Sequence, residues 1–190
     1  MHWVYNYFFA AVWIAFLLYW QIKSVGTKTT QRLEPAASRI VRSLVFLIAI
    51  TLLSWPYIPL PWLYRSFLPM GLLTFWLGAG VTVAGLLFAV WARAHLGTNW
   101  SRSVTIKQDH QLIVTGPYAI ARHPIYTGIL TGFLGSAIAT TQIRGIIAFA
   151  LVFLVLWFKL RMEEEWMRNQ FGPTYEAYAK HVAALVPFVL

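Results

Sequence analysis

The chain has 190 residues, 59% hydrophobic and only 11% charged, with fifteen Lys and Arg against six Asp and Glu. A soluble domain carries about 25% charged residues, so this surface is too poor in charge for water and suits lipid. There is no Cys, which excludes disulfides, thiolate catalysis and Cys-based metal sites. The net charge of +9 is read as anchoring at anionic headgroups, not as nucleic-acid binding.

A spanning helix needs about 20 mostly apolar residues, and five segments offer one. Met1 to Trp20 is the first; no basic region precedes its apolar run, so it is expected to be a retained helix and not a signal peptide. Ser43 to Tyr64 is the second, and Pro56, Pro59 and Pro61 require its far end to kink or unwind. Phe67 to Leu96 is the third, with Gly71, Gly78, Gly80 and Gly85 allowing neighbouring helices to approach closely. Pro124 to Thr141 is the fourth, and Gly145 to Leu160 the fifth, short enough to pair with the fourth as a tight hairpin.

The basic residues test this map. Lys23, Lys28, Arg32, Arg39 and Arg42 fall between the first and second segments. Arg93, Arg102, Lys107 and Arg122 fall between the third and fourth, and Lys159, Arg161, Arg168 and Lys180 follow the fifth. Only Arg65 and Arg144 lie on the other side, a split of 13 against 2. Basic loops stay in the cytoplasm. The expectation is an all-α integral membrane protein of five transmembrane helices, N-terminus outside and C-terminus cytoplasmic. It forms a single domain, 1–190, with helices 1–3 in 1–95 and a cofactor-binding half in 96–190. A prokaryotic cytoplasmic membrane is the expected location.

Two polar segments on the expected cytoplasmic side are too long to be mere turns. The stretch 96–123 alternates at Ser103-Val104-Thr105-Ile106 and again turns apolar at Leu112-Ile113-Val114, which reads as a weak β-hairpin or an extended loop. After the fifth helix, Glu163-Glu164-Glu165 opens a cytoplasmic helix that Gly172-Pro173 ends. All six acidic residues, and His95, His110, His123 and His181, fall on this side. The opposite side has almost nothing with which to do chemistry.

Within this side, Arg122 and His123 stand directly before Pro124, which suits the first position of a helix. Free N–H groups at a helix start attract anions, so a carboxylate or phosphate fits there; the alternative is that both residues meet lipid headgroups. The Glu163–Glu165 run is either a solvated helix start, where acids favour the dipole, or a clamp for a cationic or hydroxyl-rich ligand. The histidines show no metal spacing, and no metal is expected.

The run Leu96-Gly97-Thr98-Asn99-Trp100-Ser101, then His110 to Tyr118, then Arg122-His123-Pro124-Ile125-Tyr126-Thr127-Gly128, resembles the isoprenylcysteine carboxyl methyltransferase family of integral membrane enzymes. So does the closing pattern of Glu163-Glu164-Glu165, Phe171-Gly172, Tyr175, Tyr178 and Val186-Pro187, and together these cover residues 96–190. The resemblance implies methyl transfer from S-adenosylmethionine to a lipophilic, membrane-associated acceptor, an isoprenylcysteine-like carboxylate, entering from the bilayer. It implies that His110, Leu112, Val114, Gly116, Tyr118, His123, Pro124, Tyr126, Glu163 and Glu164 enclose the cofactor, with Arg122 and Glu164 in catalytic roles. One departure is Ala183-Ala184, where many relatives carry an Arg. A phospholipid-headgroup N-methyltransferase and a sterol-reductase-like NADPH-dependent reductase are the alternative enzymes, the latter opposed by Ile125 and Ile129 where such reductases carry Asn and an acid. A non-enzymatic membrane scaffold is the remaining alternative.

Overall fold

The computed structural model describes residues 2–23, 35–55, 57–97 and 112–186. Among them the chain is all-helical: α1 (His2–Ile22), α2 (Ala36–Ser54), α3 (Leu72–Leu96), α4 (Pro124–Thr140), α5 (Ile143–Phe171) and α6 (Pro173–His181), with short 3₁₀ turns at Pro61–Tyr64 and Gly116–Ala119. Three of these, α2, α3 and α5, are long and apolar enough to cross a membrane; α4 is a shorter apolar helix, and so is Tyr7–Ile22 of α1.

Local chemistry sets several boundaries. The second segment was expected to begin at Ser43, but α2 begins at Ala36, directly after Pro35. Arg39 and Arg42 therefore sit inside a helix and not in a loop. Its far end stops at Ser54, and Trp55 turns to ψ 122, the extended backbone a following proline favours. Loss of helix beyond this point fits the run of prolines. The connection between α4 and α5 is only Thr141–Gln142. Thr141 adopts φ 56, and its N–H donates to Ala137 O and Ile138 O.

The fifth helix departs most from expectation. It does not end at Leu160; α5 runs unbroken to Phe171 over 29 residues. At 1.5 Å per residue it is about 43 Å long, against about 30 Å of hydrocarbon, so its last turns carry the acidic run beyond the apolar layer. Its buried positions are Gly145, Ala148, Val152, Leu156, Leu160 and Glu164. They follow helical spacing, and one inward stripe that begins as aliphatic core ends as a carboxylate.

The core of the bundle is the α3–α4 interface. A Cβ on Gly78 would lie 2.5 Å from Gly135 O, and one on Gly128 would lie 2.5 Å from Gly85 O. Only hydrogen fits in those gaps, so the two backbones lie in direct contact. Thr82 and Ser136 tie the same seam with hydroxyls: Thr82 Oγ1 of α3 lies 3.3 Å from both Gly132 O and Ser136 Oγ of α4. Trp13 Nε1 donates to Ser136 Oγ at 3.1 Å, and its ring meets Phe133 at 4.8 Å, tilted by 53°, which docks α1 against α4. On the other side of α4, Ala148, Val152, Leu156 and Leu160 of α5 join Tyr126, Leu130 and Phe133 in one cluster.

The expected β-hairpin falls mostly on residues outside the described ones. Leu112–Val114, which are described, are not strand.

Candidate functional site

The polar end of α4 is closed by the C-terminal segment. Arg122 N–H donates to Ala183 O at 2.8 Å, and His123 N–H to Ala184 O at 3.0 Å. Thr127 Oγ1 donates to Leu185 O at 2.7 Å. Pro124 has no N–H, and the N–H groups of Tyr126 and Thr127 turn back to His123 O. The free backbone donors expected at this helix start are thus largely occupied, and an anion held here has to be held by side chains. Ala183 is buried at 2% exposure, so a larger residue in its place would have to displace this contact.

Arg122 joins three elements. Its Nε donates to Glu164 Oε1 at 2.8 Å, and its NH2 lies 2.7 Å from the same oxygen. Its NH1 donates to Ala179 O and Val182 O, capping the C-terminal carbonyls of α6. The side chain is 10% exposed and that of Glu164 5%, so neither is presented to headgroups. Arg168 extends the network, 3.3 Å from Glu164 Oε2 and 2.9 Å from Glu176 Oε1.

His123 stands between the two carboxylates. Nδ1 is 3.5 Å from Glu163 Oε2, and Nε2 is 3.4 Å from Glu164 Oε1. Those are ion-pair distances; Nε2 itself is buried and makes no hydrogen bond among the described residues. The imidazole stacks on the Tyr126 ring at 5.4 Å with an interplanar angle of 8°. Burial alone would push the His123 pKa down, but the facing Glu163 and Glu164 outweigh it and raise it. The Tyr126 hydroxyl donates to both oxygens of Glu163 at 2.7 Å. Lys159 Nζ lies 3.6 Å from Glu163 Oε1 and 5.2 Å from the Tyr126 ring centre.

Tyr118 approaches from the other side. It is 8% exposed, and burial, with Glu163 nearby, raises its phenol above the ordinary range. Tyr178 donates to Tyr118 O at 2.5 Å. Gly116 has φ 61, and a Cβ there would meet the His95 ring at 2.8 Å; that turn requires glycine on both counts. His95 Nε2 is 2.9 Å from Thr115 Oγ1.

Of the residues singled out in the sequence, Tyr118, Arg122, His123, Pro124, Tyr126, Glu163 and Glu164 come together at this end. Gly116 forms the adjoining turn, Leu112 is half-buried and Val114 is exposed. His110 lies outside the described residues. Sequence reasoning named Lys159, Thr127, His95 and Tyr178 but gave none of them a place at the site. Lys159 was open to detection, since it precedes Glu163 by four residues, the spacing of a helical ion pair. At the opposite end of the helices, an open apolar cleft of about 340 Å³ is lined by Tyr57, Ile58, Pro59 and Tyr64 and has no charged group in its lining.

Comparison with known proteins gives the chain its relatives. Protein-S-isoprenylcysteine O-methyltransferase B of Arabidopsis thaliana is 30% identical over 115 residues, covering 59% of this chain and 58% of that protein. The protein-S-isoprenylcysteine O-methyltransferase of Schizosaccharomyces pombe is 36% identical over 105 residues, 52% of this chain and 43% of that protein. The nickel-cobalt-cadmium resistance protein NccN of Alcaligenes xylosoxydans xylosoxydans is 26% identical over 113 residues, 59% of this chain and 52% of that protein. The chain thus spans 43–58% of the length of these relatives. These similarities bear out the resemblance carried by the motifs. The model of the family described as phospholipid methyltransferase matches residues 73–174, from α3 into α6, and this chain belongs to that family.

Proposed function

We propose that the chain is an S-adenosylmethionine-dependent methyltransferase, with its site at the polar end of α4 and α5 and an isoprenylcysteine-like carboxylate as acceptor. The observation that supports this most is the edge of His123: buried, without a hydrogen bond among the described residues, and set between Glu163, Glu164 and Tyr126. Its Nε2 is met only by the 3.4 Å approach of Glu164 Oε1, which leaves the ring edge able to take a polar ligand group. The residue types fit the cofactor. The imidazole suits its carboxylate, Glu163 or Glu164 its ammonium or ribose hydroxyls, and Tyr118 and Tyr126 its adenine or sulfonium. His110, Leu112, Val114, Gly116 and Pro124 complete the proposed wall.

When bound, S-adenosylmethionine would supply a methyl activated by its positive sulfur, and a carboxylate acceptor would have no proton to lose. The chain therefore has to position the partners and exclude water. Glu164 is fixed by Arg122 and Arg168. Arg122, expected to act directly, serves in this arrangement as a positioning residue acting through Glu164. Glu163 is fixed by Tyr126 and Lys159. The family description points to a second acceptor, the amine of a phospholipid headgroup. We further infer five crossings with the N-terminus outside, from the 13-against-2 split of basic residues; α4, too short and too enclosed to be a free-standing span, crosses inside the bundle.

The test is binding of S-adenosylmethionine to the purified protein, followed by transfer of labelled methyl to S-prenylated cysteines and to phospholipids. His123→Ala and Glu164→Gln should each weaken cofactor binding by about 1–3 kcal/mol. Wild-type affinity in both variants would move the site elsewhere, and a wild-type protein that binds no cofactor would end this reading.

A further inference from the structure

The end of α3 and the turn at Gly116–Ala119 are tied by a contact that neither element needs for itself. Thr115 stands at the N-cap of that 3₁₀ turn, and its carbonyl accepts from Tyr118 N–H at 3.2 Å. A threonine there ordinarily turns its hydroxyl onto the first N–H groups of its own helix. Here it makes no such bond; its Oγ1 lies 2.9 Å from His95 Nε2. His95 is in the last turn of α3, where a basic side chain can serve the helix dipole or reach headgroups. Its ring is instead committed to the facing turn. It lies against Gly116, where a Cβ would stand 2.8 Å from His95 Cε1, and it stacks with Tyr118 at 6.4 Å and 25°.

One imidazole thus meets Thr115, Gly116 and Tyr118 together. Gly116 takes φ 61, so the chain changes direction there, and the His95 ring fills the space a side chain would have used. Tyr118 is buried while His95 is exposed, so the histidine backs the tyrosine from the solvent side. From α6, Tyr178 donates to Tyr118 O at 2.5 Å. Tyr118 is therefore gripped by its carbonyl from α6 and by its ring and turn from α3. The grip from α3 sets its place relative to the rest of the site. The backbone of α3 lies directly against α4, the helix capped by His123 and carrying Tyr126. A small misplacement of such a wall is costly for a bound ligand.

We propose that His95 is a positioning residue of the cofactor site: by holding Thr115 and packing on Gly116, it fixes the turn that presents Tyr118 to S-adenosylmethionine. It touches no reacting group itself. The assignment rests on the methyltransferase reading above and adds how one wall of that site is kept in register with the helices that carry the others. A loose wall has to be ordered whenever the cofactor binds, which weakens affinity; a wall latched in advance avoids that cost.

The experiment uses the full chain in lipid vesicles and compares wild type, His95→Ala, His95→Gln, Thr115→Val and the double variant His95→Ala/Thr115→Val. It measures S-adenosylmethionine affinity, the thermal midpoint, and the KM of an S-prenylated cysteine at saturating cofactor. His95→Ala should weaken cofactor binding about three- to tenfold, the effect of one hydrogen bond, and Thr115→Val by a smaller factor. The double variant should be no weaker than His95→Ala, because one contact is not lost twice. His95→Gln, which can still reach Thr115 Oγ1, should recover part of the loss. The acceptor KM should stay at the wild-type level. Both residues are exposed, so neither substitution opens the core, and the midpoints should stay close to wild type. Wild-type cofactor affinity in His95→Ala overturns the assignment. So do single losses that add in full in the double variant, which would mean that the two residues act apart. So does a lowered midpoint with a matching rise in acceptor KM, the mark of general loosening. The cofactor measurements decide the assignment even where the S-prenylated cysteine is not methylated, a result that counts against that acceptor alone. Wild type that binds no S-adenosylmethionine overturns the methyltransferase reading, and the role of His95 falls with it.

Discussion

The α3–α4 seam and the polar end of α4 and α5 are joined by opposite means. In the seam, Gly78, Gly85, Gly128 and Gly135 bring backbone against backbone because their side chains are missing. At the polar end, Arg122, His123, Glu163 and Glu164 hold α4, α5, α6 and the segment after it together because their side chains are long and charged. Between helices in lipid the hydrophobic drive is weak, and close packing replaces it. Beyond the apolar layer, charge pairing is available, provided every buried charge has its counterpart. The seam should therefore be intolerant of volume and the polar end intolerant of lost charge.

The largest effect is expected at the polar end. Arg122→Ala leaves Glu164, 5% exposed, without its closest cation and removes the donor to Ala179 O and Val182 O. Removing one partner of a buried pair costs about 3–5 kcal/mol. Thermal unfolding in detergent should show a loss of that order, with Arg122→Lys in between because it keeps the charge but not the fork. An alanine variant as stable as wild type would mean that Arg168 alone compensates Glu164.

At the seam the expected effect is smaller. Gly135→Ala places a methyl against Gly78 O, 2.6 Å from its ideal position, and overpacking of this kind costs about 1–3 kcal/mol. Gly80 is the control: a Cβ there meets nothing within 4 Å. Gly80→Ala should be neutral or raise stability by up to about 1 kcal/mol, the helix preference for Ala over Gly. Equal effects from the two substitutions would show that the seam is looser than the geometry indicates.

These regions also differed in how far the sequence exposed them. The glycines of the third segment marked a close helix contact without naming its partner. Gly128 and Gly135 are legible only once α4 is set beside α3. The fourth and fifth helices followed from their apolar runs, and their tight connection from the shortness of the fifth apolar run. Ending the fifth helix at Leu160 was an error of hydropathy, because charge was taken as a stop signal. Periodicity was the better guide, since Glu164 stands four residues beyond Leu160 on the same buried stripe. The motif residues at 116–126 and 163–164 converged, but the carbonyls of Ala183 and Ala184 did not announce themselves. Backbone acceptors carry no signature in side-chain identity, and they displaced the anion nest expected at the start of α4. Arg39 and Arg42 were legible as basic residues and illegible as helical ones until α2 was extended back to Ala36.

The smallest and most specific effect is a slope against pH. His123 is held with its pKa raised because Glu163 and Glu164 outweigh the burial that would lower it. A raised pKa in the folded state means that folding favours the protonated form. The contribution is complete below the unfolded value of 6.5 and is lost as pH rises through the higher folded value. Thermal stability should therefore fall as pH is taken upward from about 6.5, by an amount that His123→Asn removes. The reading is the difference between wild type and variant, not either curve alone. If the two curves run parallel, the imidazole is not protonated between the carboxylates. Glu163 and Glu164 would then have to be held by Lys159, Arg122 and Arg168 without it.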